Sequence, residues 1–138
     1  MRYEKVTLPH SCPRCRSAQE IVHALSLASG SVRASSSFSC KRCGEAFEVD
    51  DQGVPEEWRS AFYAANGRWE LRILDAGPDK AALLRRLREI LGLNVAGIGA
   101  VAQKIPGPIT EGTRVEMELL KQESEAAGAM ADVTPATP

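Results

Sequence analysis

The apolar residues in the second half of the chain follow two different periods in turn. Over residues 68–74 they alternate with polar residues, which predicts a strand. From about residue 79 to residue 91 they recur every three or four positions, which predicts a helix. The stripe of this helix that is expected to face a core consists of Leu83, Leu87 and Ile90. Gly92 follows the last apolar position and is expected to end the helix, because glycine is favoured just beyond a helix C-terminus.

The rest of this half continues with helices and extended segments. They are predicted at residues 95–105 (helix), 108–111 (extended), 113–127 (helix) and 129–133 (strand). Pro106 ends the second helix, while Thr113 caps the third helix and Gly128 ends it. The predicted order is β-α-α-β-α-β, an α+β fold in which helices pack on a small antiparallel sheet.

The first half has a β pattern followed by a short helix. Residues 19–28 and 32–49 predict strands around a serine-rich turn. Pro55 opens a helical stretch whose apolar face carries Trp58 and Phe62. This face is expected to pack on one of the domains, the alternative being that it binds a partner. The predicted domains are therefore a β domain at 1–50, a linker with a short helix at 51–67, an α+β domain at 68–133 and a disordered tail at 134–138.

Composition and charge narrow the class of protein. Of the 138 residues, 43% are hydrophobic, which excludes a wholly disordered chain. Seventeen basic residues face eighteen acidic ones, so net charge gives no argument for a nucleic-acid or membrane-surface protein. The start of the chain lacks the apolar run of a signal peptide, and no apolar stretch approaches the roughly 20 residues that span a bilayer. We therefore expect a cytoplasmic protein without a membrane partner.

Four cysteines in two C-x-x-C pairs give the strongest chemical signal. They are Cys12, Cys15, Cys40 and Cys43. One C-x-x-C turn places two thiolates on one side of a metal, and the second turn closes a tetrahedron. The 24 residues between the pairs leave room for a hairpin, and disulfides are rare in the cytoplasm. The pattern predicts one structural zinc ion.

Four basic residues lie in or beside the two cysteine turns: Arg14, Arg16, Lys41 and Arg42. A zinc ion held by four thiolates has a net charge of −2, which these bases offset. Contact with nucleic acid is the alternative, and it is not favoured. With the cysteine pairs, the segment FSCKRCGEAFEV makes residues 9–50 resemble a zinc ribbon, a small domain that serves transcription, translation and plain protein contact alike.

The second half resembles a bacterial family. The matching features are the Ala76-Gly77 turn, Lys80, the helix through Arg88, Gly92-Leu93, Pro106, Glu111-Gly112 and the run Glu125 to Ala129. In order and spacing they are similar to the C-terminal domain of the acidic, multi-copy stalk protein of the large ribosomal subunit. That domain is no enzyme, and it recruits translational GTPases such as elongation factors Tu and G through its first two helices.

The resemblance implies a contact surface on this chain. Its positions on the first helix are Lys80, Ala81, Leu84, Arg85 and Arg88, and on the second helix Ala96, Gly99 and Ala100. Gly99 stands where the family usually has a lysine, which suggests a different or closer-fitting partner. The helical part with which the stalk protein dimerises and docks on the ribosome is replaced by the zinc ribbon.

The expected function is that of a non-enzymatic adaptor. The stalk-like domain would recruit a GTPase or another protein partner, and the ribbon would anchor it. No Ser/His/Asp set, phosphate loop or cluster of carboxylates indicates an enzyme. The alternative is a ribosome- or nucleic-acid-associated factor that uses the bases of the ribbon.

Overall fold

The structure, a computed structural model, describes residues 3–136 and has the predicted α+β class. The chain divides after Asn66 into two compact units. Unit 1 contains the four cysteines, and unit 2 begins at Gly67.

Unit 1 is built on a four-stranded antiparallel sheet in the order β1-β2-β3-β4. Its strands are β1 (Tyr3–Ser11), β2 (Ala18–Ala28), β3 (Ser31–Ser39) and β4 (Ala46–Gln52). Strands β2 and β3 form the hairpin expected between the two cysteine turns, and Ser29 and Gly30 make its tip with positive φ angles. Buried side chains on one face of the sheet, among them Ile21, Leu25 and Phe38, form its core.

Three details of this sheet refine or correct the sequence-based prediction. The stretch predicted as extended at 32–49 forms the two strands β3 and β4, and the second cysteine turn lies between them. Strand β4 runs on to Gln52, so the turn expected at residues 50–53 is confined to its end, at Gly53. Strand β1 was not predicted: it carries few apolar residues and contains Pro9, which a sheet tolerates here because β1 is an edge strand.

The segment expected as a linker folds as part of unit 1. It contains a 3-10 turn (Glu56–Trp58) and helix α1 (Arg59–Asn66). Phe62 is fully buried, and the Trp58 ring stacks on the ring of His23, with centroids 4.1 Å apart. The apolar face of this segment therefore packs on the sheet, which is the expectation we preferred over partner binding.

Unit 2 has the predicted order β-α-α-β-α-β. Its elements are β5 (Trp69–Asp75), α2 (Lys80–Leu91), α3 (Val95–Gln103), β6 (Gly107–Gly112), α4 (Arg114–Ala126) and β7 (Met130–Pro135). The strands form an antiparallel sheet in the order β6-β5-β7. Leu83 and Leu87 are fully buried against Leu71 and Ile73 of β5, and Ile90 is partly buried at the edge of this core.

Each helix of unit 2 starts at a capping side chain. Asp79 accepts a hydrogen bond from the Ala82 N–H, and Asn94 accepts one from the Gly97 N–H. Thr113 and Glu116 form a reciprocal capping box at the start of α4. These local bonds explain why the helix boundaries could be predicted within about two residues.

The end of the chain is more ordered than expected. Strand β7 reaches Pro135, and the Ala136 N–H donates to the Arg68 carbonyl at 2.9 Å. Residues 134–136, which we expected in a disordered tail, thus extend the sheet of unit 2. The last two residues of the predicted tail, 137 and 138, lie outside the described part of the chain.

Candidate metal centre and partner surface

The two cysteine turns have the same backbone hydrogen bonds. In the first, the Cys12 N–H donates to the Ser17 carbonyl at 3.0 Å, and the Arg16 N–H donates to the Cys12 carbonyl at 2.9 Å. In the second, the Cys40 N–H donates to the Glu45 carbonyl at 2.7 Å, and the Gly44 N–H donates to the Cys40 carbonyl at 3.1 Å. The second turn thus repeats the first, residue by residue.

This repeat requires a left-handed backbone after each pair. Gly44 has a φ angle of 82°, and Arg16 has 62° at the equivalent position. Glycine adopts this conformation freely, whereas a side chain makes it unfavourable by roughly 1–2 kcal/mol. The first turn is as regular as the second although its sequence lacks the glycine.

The four Sγ atoms have the spacing of a zinc tetrahedron. The Sγ atoms of Cys12 and Cys43 lie 3.6 Å apart, as do those of Cys15 and Cys40. All four atoms lie within 4.8 Å of one another. A regular tetrahedron with Zn–S bonds of about 2.3 Å has S–S distances of about 3.8 Å. The cysteines form no disulfide, and the cluster fits the predicted structural zinc ion.

Backbone N–H groups stabilise the charge of these thiolates. The Arg14 and Cys15 N–H groups point to Cys12 Sγ at 3.4 and 3.5 Å, and the Cys43 N–H points to Cys40 Sγ at 3.4 Å. The bond from the Cys43 N–H lowers the pKa of the Cys40 thiol to about 6, whereas burial and the neighbouring sulfur atoms raise the pKa of the Cys43 thiol to about 11. A thiol that ionises readily suits metal binding, because the thiolate is the ligand.

Two polar residues extend the cluster. The Ser17 hydroxyl lies 3.0 Å from Cys15 Sγ and 3.6 Å from Cys40 Sγ, and Gln19 Nε2 donates to the Ser17 Oγ at 3.1 Å. The Ser17 side chain and backbone lower the pKa of the Cys15 thiol. Neither Ser17 nor Gln19 was predicted as a site residue, because a serine and a glutamine around the start of a strand give no distinct sequence signal.

The basic side chains of the turns do not touch the sulfur atoms. Arg14, Arg16, Lys41 and Arg42 are all exposed. Within residues 3–136, none of the four side chains donates a hydrogen bond to a sulfur or forms an ion pair with a carboxylate. These side chains therefore offset the negative charge of the site only through longer-range electrostatic attraction.

The surface implied by the family resemblance is accessible on unit 2. Leu84 is half-buried, and the other residues are exposed: Lys80, Ala81, Arg85, Arg88, Ala96, Gly99 and Ala100. Arg88 also has an internal bond, since its Nε donates to the Leu93 carbonyl at 3.1 Å and ties the end of α2 to the loop before α3. Contact of these residues with a partner stays a prediction.

The two glycines of α3 differ in their surroundings. A Cβ on Gly97 would lie 3.2 Å from Asn94 Oδ1, the atom that caps the helix. A Cβ on Gly99 would meet nothing within 4 Å. Packing within unit 2 therefore explains Gly97 but gives no reason for Gly99.

Two acidic residues of α4 form ion pairs. Glu123 accepts from Arg86 Nε at 2.9 Å and so links α4 to α2. Glu118 lies 3.6 Å from Arg114 Nε.

Residues 3–136 contain neither a candidate membrane-spanning helix nor a second candidate metal site. None of the helices there has the length and hydrophobicity that a membrane span requires. The four cysteines are the one group of three or more metal-ligating side chains in this part of the chain.

Comparison with known proteins supports the ribosomal part of the resemblance. No family model matches the chain. The chain is 33% identical over 66 residues to the large ribosomal subunit protein bL12 of Azobacteroides pseudotrichonymphae. The match covers 47% of this chain and 53% of that protein, so the chain spans about half the length of the curated relative. The findings are thus a distant similarity to a ribosomal protein and a four-cysteine cluster that is compatible with a zinc ribbon.

Proposed function

We propose that this protein is a non-enzymatic cytoplasmic adaptor. Unit 2 recruits a translational GTPase or another protein partner through the outer face of α2 and α3, and the zinc ribbon of unit 1 anchors it. The observation that carries the proposal is the accessible face itself, with exposed bases and small residues at the positions implied by the stalk resemblance. The distant similarity to bL12 supports a ribosomal setting.

The chemistry of this face suits an acidic partner. Lys80 and Arg85 are exposed and form no ion pair within the described residues. Unpaired surface bases steer an acidic partner and raise its association rate. Leu84 lies half-buried between them on α2 and supplies apolar contact.

Gly99 makes the second half of the face flat. Its Cβ position is open, so a helix or loop of the partner can approach the α3 backbone there. A glycine inside a helix is unfavourable by roughly 1 kcal/mol relative to alanine. Close approach by a partner accounts for a glycine that packing within unit 2 does not require.

A matched pair of charge reversals tests the surface. Arg85→Glu changes an exposed base on α2, and Lys121→Glu changes a base on α4 that likewise has no ion pair within the described residues. We expect Arg85→Glu to weaken binding to purified elongation factors Tu and G by about tenfold, or ~1.4 kcal/mol, and Lys121→Glu to leave it unchanged. Equal effects of the two variants, or an effect of Lys121→Glu alone, would contradict the proposal. Arg88 is avoided, because its bond to Leu93 gives it a structural role.

A second candidate function is nucleic-acid association through the ribbon. It rests on the four exposed basic residues of the cysteine turns, whose side chains bond to no sulfur or carboxylate within residues 3–136. If they contact phosphates, affinity for RNA should fall with log salt at a slope of about −0.7 per phosphate for single strands. Arg14→Glu/Arg42→Glu should flatten that slope, and the absence of any salt-dependent RNA binding would reject this candidate.

A further inference from the structure

Ser17 and Gln19 connect the two cysteine turns by a chain of hydrogen bonds. The backbone N–H of Lys41 donates to Gln19 Oε1 at 3.3 Å. Gln19 Nε2 donates to Ser17 Oγ at 3.1 Å, and Ser17 Oγ lies 3.0 Å from Cys15 Sγ. The chain starts in the second turn and ends on a thiolate of the first.

Chemistry fixes the direction of every bond in this chain when Cys15 is the thiolate that binds a metal, because a thiolate can only accept. A backbone N–H can only donate, so the oxygen of the Gln19 amide faces Lys41 and its NH2 group faces Ser17. The Ser17 oxygen accepts from that NH2 group, which leaves the hydroxyl hydrogen for a sulfur. Aligned bonds of this kind polarise and strengthen one another.

The Ser17 hydroxyl lies between thiolates of different turns. It is 3.6 Å from Cys40 Sγ as well as 3.0 Å from Cys15 Sγ. At the equivalent place in the second turn stands Glu45, whose backbone carbonyl matches that of Ser17 but whose side chain cannot donate a hydrogen bond when ionised. This hydroxyl thus has no counterpart in the second turn.

We propose that Ser17 and Gln19 are positioning residues for the zinc ion, which hold the Cys15 and Cys40 thiolates through the relay from the Lys41 N–H. The bound zinc contributes a dication that four thiolates convert to a net charge of −2, and the relay disperses part of that charge. Outer groups bonded to metal ligands typically change metal affinity by 10- to 100-fold. The hydrogen bonds through Gln19 and Ser17 therefore slow the loss of zinc from the Cys15 and Cys40 thiolates.

The test measures zinc transfer to a chromogenic chelator and the spectrum of the cobalt-substituted full chain. We expect Ser17→Ala to accelerate zinc loss by about 10- to 100-fold. It should also move the thiolate-to-cobalt charge-transfer band to lower energy, because a thiolate that loses a hydrogen bond gives up its electron more easily. Ser17→Thr keeps a hydroxyl and should restore both values. Ser39→Ala is the matched control, since Ser39 is an exposed serine next to Cys40 without a bond to sulfur.

A double-mutant cycle isolates the role of Gln19. Gln19→Met removes both ends of its amide at similar length and should shift the cobalt band in the same direction by a smaller amount. In the Ser17→Ala background, Gln19→Met should add no further shift, because Gln19 reaches the sulfur only through Ser17. An unmoved band in Ser17→Ala would overturn the proposal even if zinc loss were faster, since that result indicates packing alone. Additive band shifts in the double variant would overturn it equally.

Discussion

The backbone of Gly77 packs directly against the backbone of Gly128 in unit 2. A Cβ on Gly77 would lie only 2.1 Å from the carbonyl oxygen of Gly128, and the two residues have φ angles of 80° and 94°. This contact brings the turn after β5 against the turn before β7, which pairs with β5 in the sheet. Backbone on both sides leaves nothing flexible to move aside.

The contact between the two glycines predicts a large loss of stability for Gly77→Ala. The positive φ angle contributes roughly 1–2 kcal/mol and the clash adds to it, so we expect about 3 kcal/mol or more in the free energy of unfolding of unit 2. Gly92→Ala is the matched control, because Gly92 has a φ angle of 63° and nothing within 4 Å of its Cβ position. Urea unfolding should show the smaller loss, roughly 1–2 kcal/mol, for Gly92→Ala, and equal losses would contradict the clash.

The repeated cysteine turns predict that glycine is favourable at two equivalent positions. Adding it at position 16 should stabilise unit 1, and removing it at position 44 should destabilise unit 1. Arg16→Gly relieves a left-handed arginine and should stabilise zinc-loaded unit 1 by up to about 1 kcal/mol after the entropy of the added glycine is subtracted. Gly44→Ala introduces the same strain and should destabilise unit 1 by roughly 1–2 kcal/mol, since its Cβ position is otherwise open. Thermal unfolding with zinc in excess measures both, and a destabilising Arg16→Gly would show that the arginine side chain contributes contacts of its own.

Zinc removal should unfold unit 1 and spare unit 2. Unit 1 contains the cysteine cluster, and unit 2 has its own core around Leu71 and Leu87. A strong chelator should therefore abolish one of two unfolding transitions of the full chain, because zinc binding supplies folding energy to a small domain. A fragment of residues 67–138 should unfold cooperatively, with the same midpoint with and without chelator. A fragment that is unfolded in buffer would show that unit 2 depends on residues before Gly67.

The Arg86–Glu123 pair predicts how the stability of unit 2 depends on pH. The hydrogen bond from Arg86 holds the pKa of Glu123 below its ordinary value of 4.5. A carboxyl whose pKa is lower in the folded state contributes stability that is present above the unfolded pKa and lost as pH falls through the folded one. Glu123→Gln should therefore lower the urea midpoint at neutral pH and converge with the parent protein in acid.

Glu125→Gln is the control for this pH effect. Glu125 is exposed on the same helix and forms no ion pair within residues 3–136. Its variant should follow the parent protein over the whole pH range. A constant offset between Glu123→Gln and the parent, persisting in acid, would indicate that packing and not charge links α4 to α2.

The elements of unit 2 could be predicted because their signals are local. Asp79, Asn94 and Thr113 cap their helices with bonds that span three residues, so the sequence around each cap contains the whole explanation. The zinc site was predictable for the same reason, since each C-x-x-C pair is itself a local motif. The ion pair between Glu123 and Arg86 has no such local signal, because Arg86 lies on another helix.

The features that could not be predicted from the sequence depend on partners that are distant along the chain or that belong to the backbone. Strand β1 is specified by its pairing with β2 and has a weak pattern of its own. The left-handed backbone of Arg16 follows from closure of the turn around the metal ligands, not from the preference of arginine. Gln19 acquires its role from the backbone N–H of Lys41, which is 22 residues away and carries no side-chain signature.

The stacking of Trp58 on His23 gives the two units separate optical reporters. The chain has two tryptophans, and the other, Trp69, lies in unit 2 with the Arg114 guanidinium 4.2 Å above its ring. A protonated imidazole quenches indole fluorescence, so the emission of Trp58 follows the charge of His23, whose pKa is lowered by burial. Trp58→Phe would leave only the tryptophan of unit 2, and Trp69→Phe would leave only the tryptophan of unit 1. The fluorescence of the unmodified protein therefore reports the unfolding of both units in one experiment.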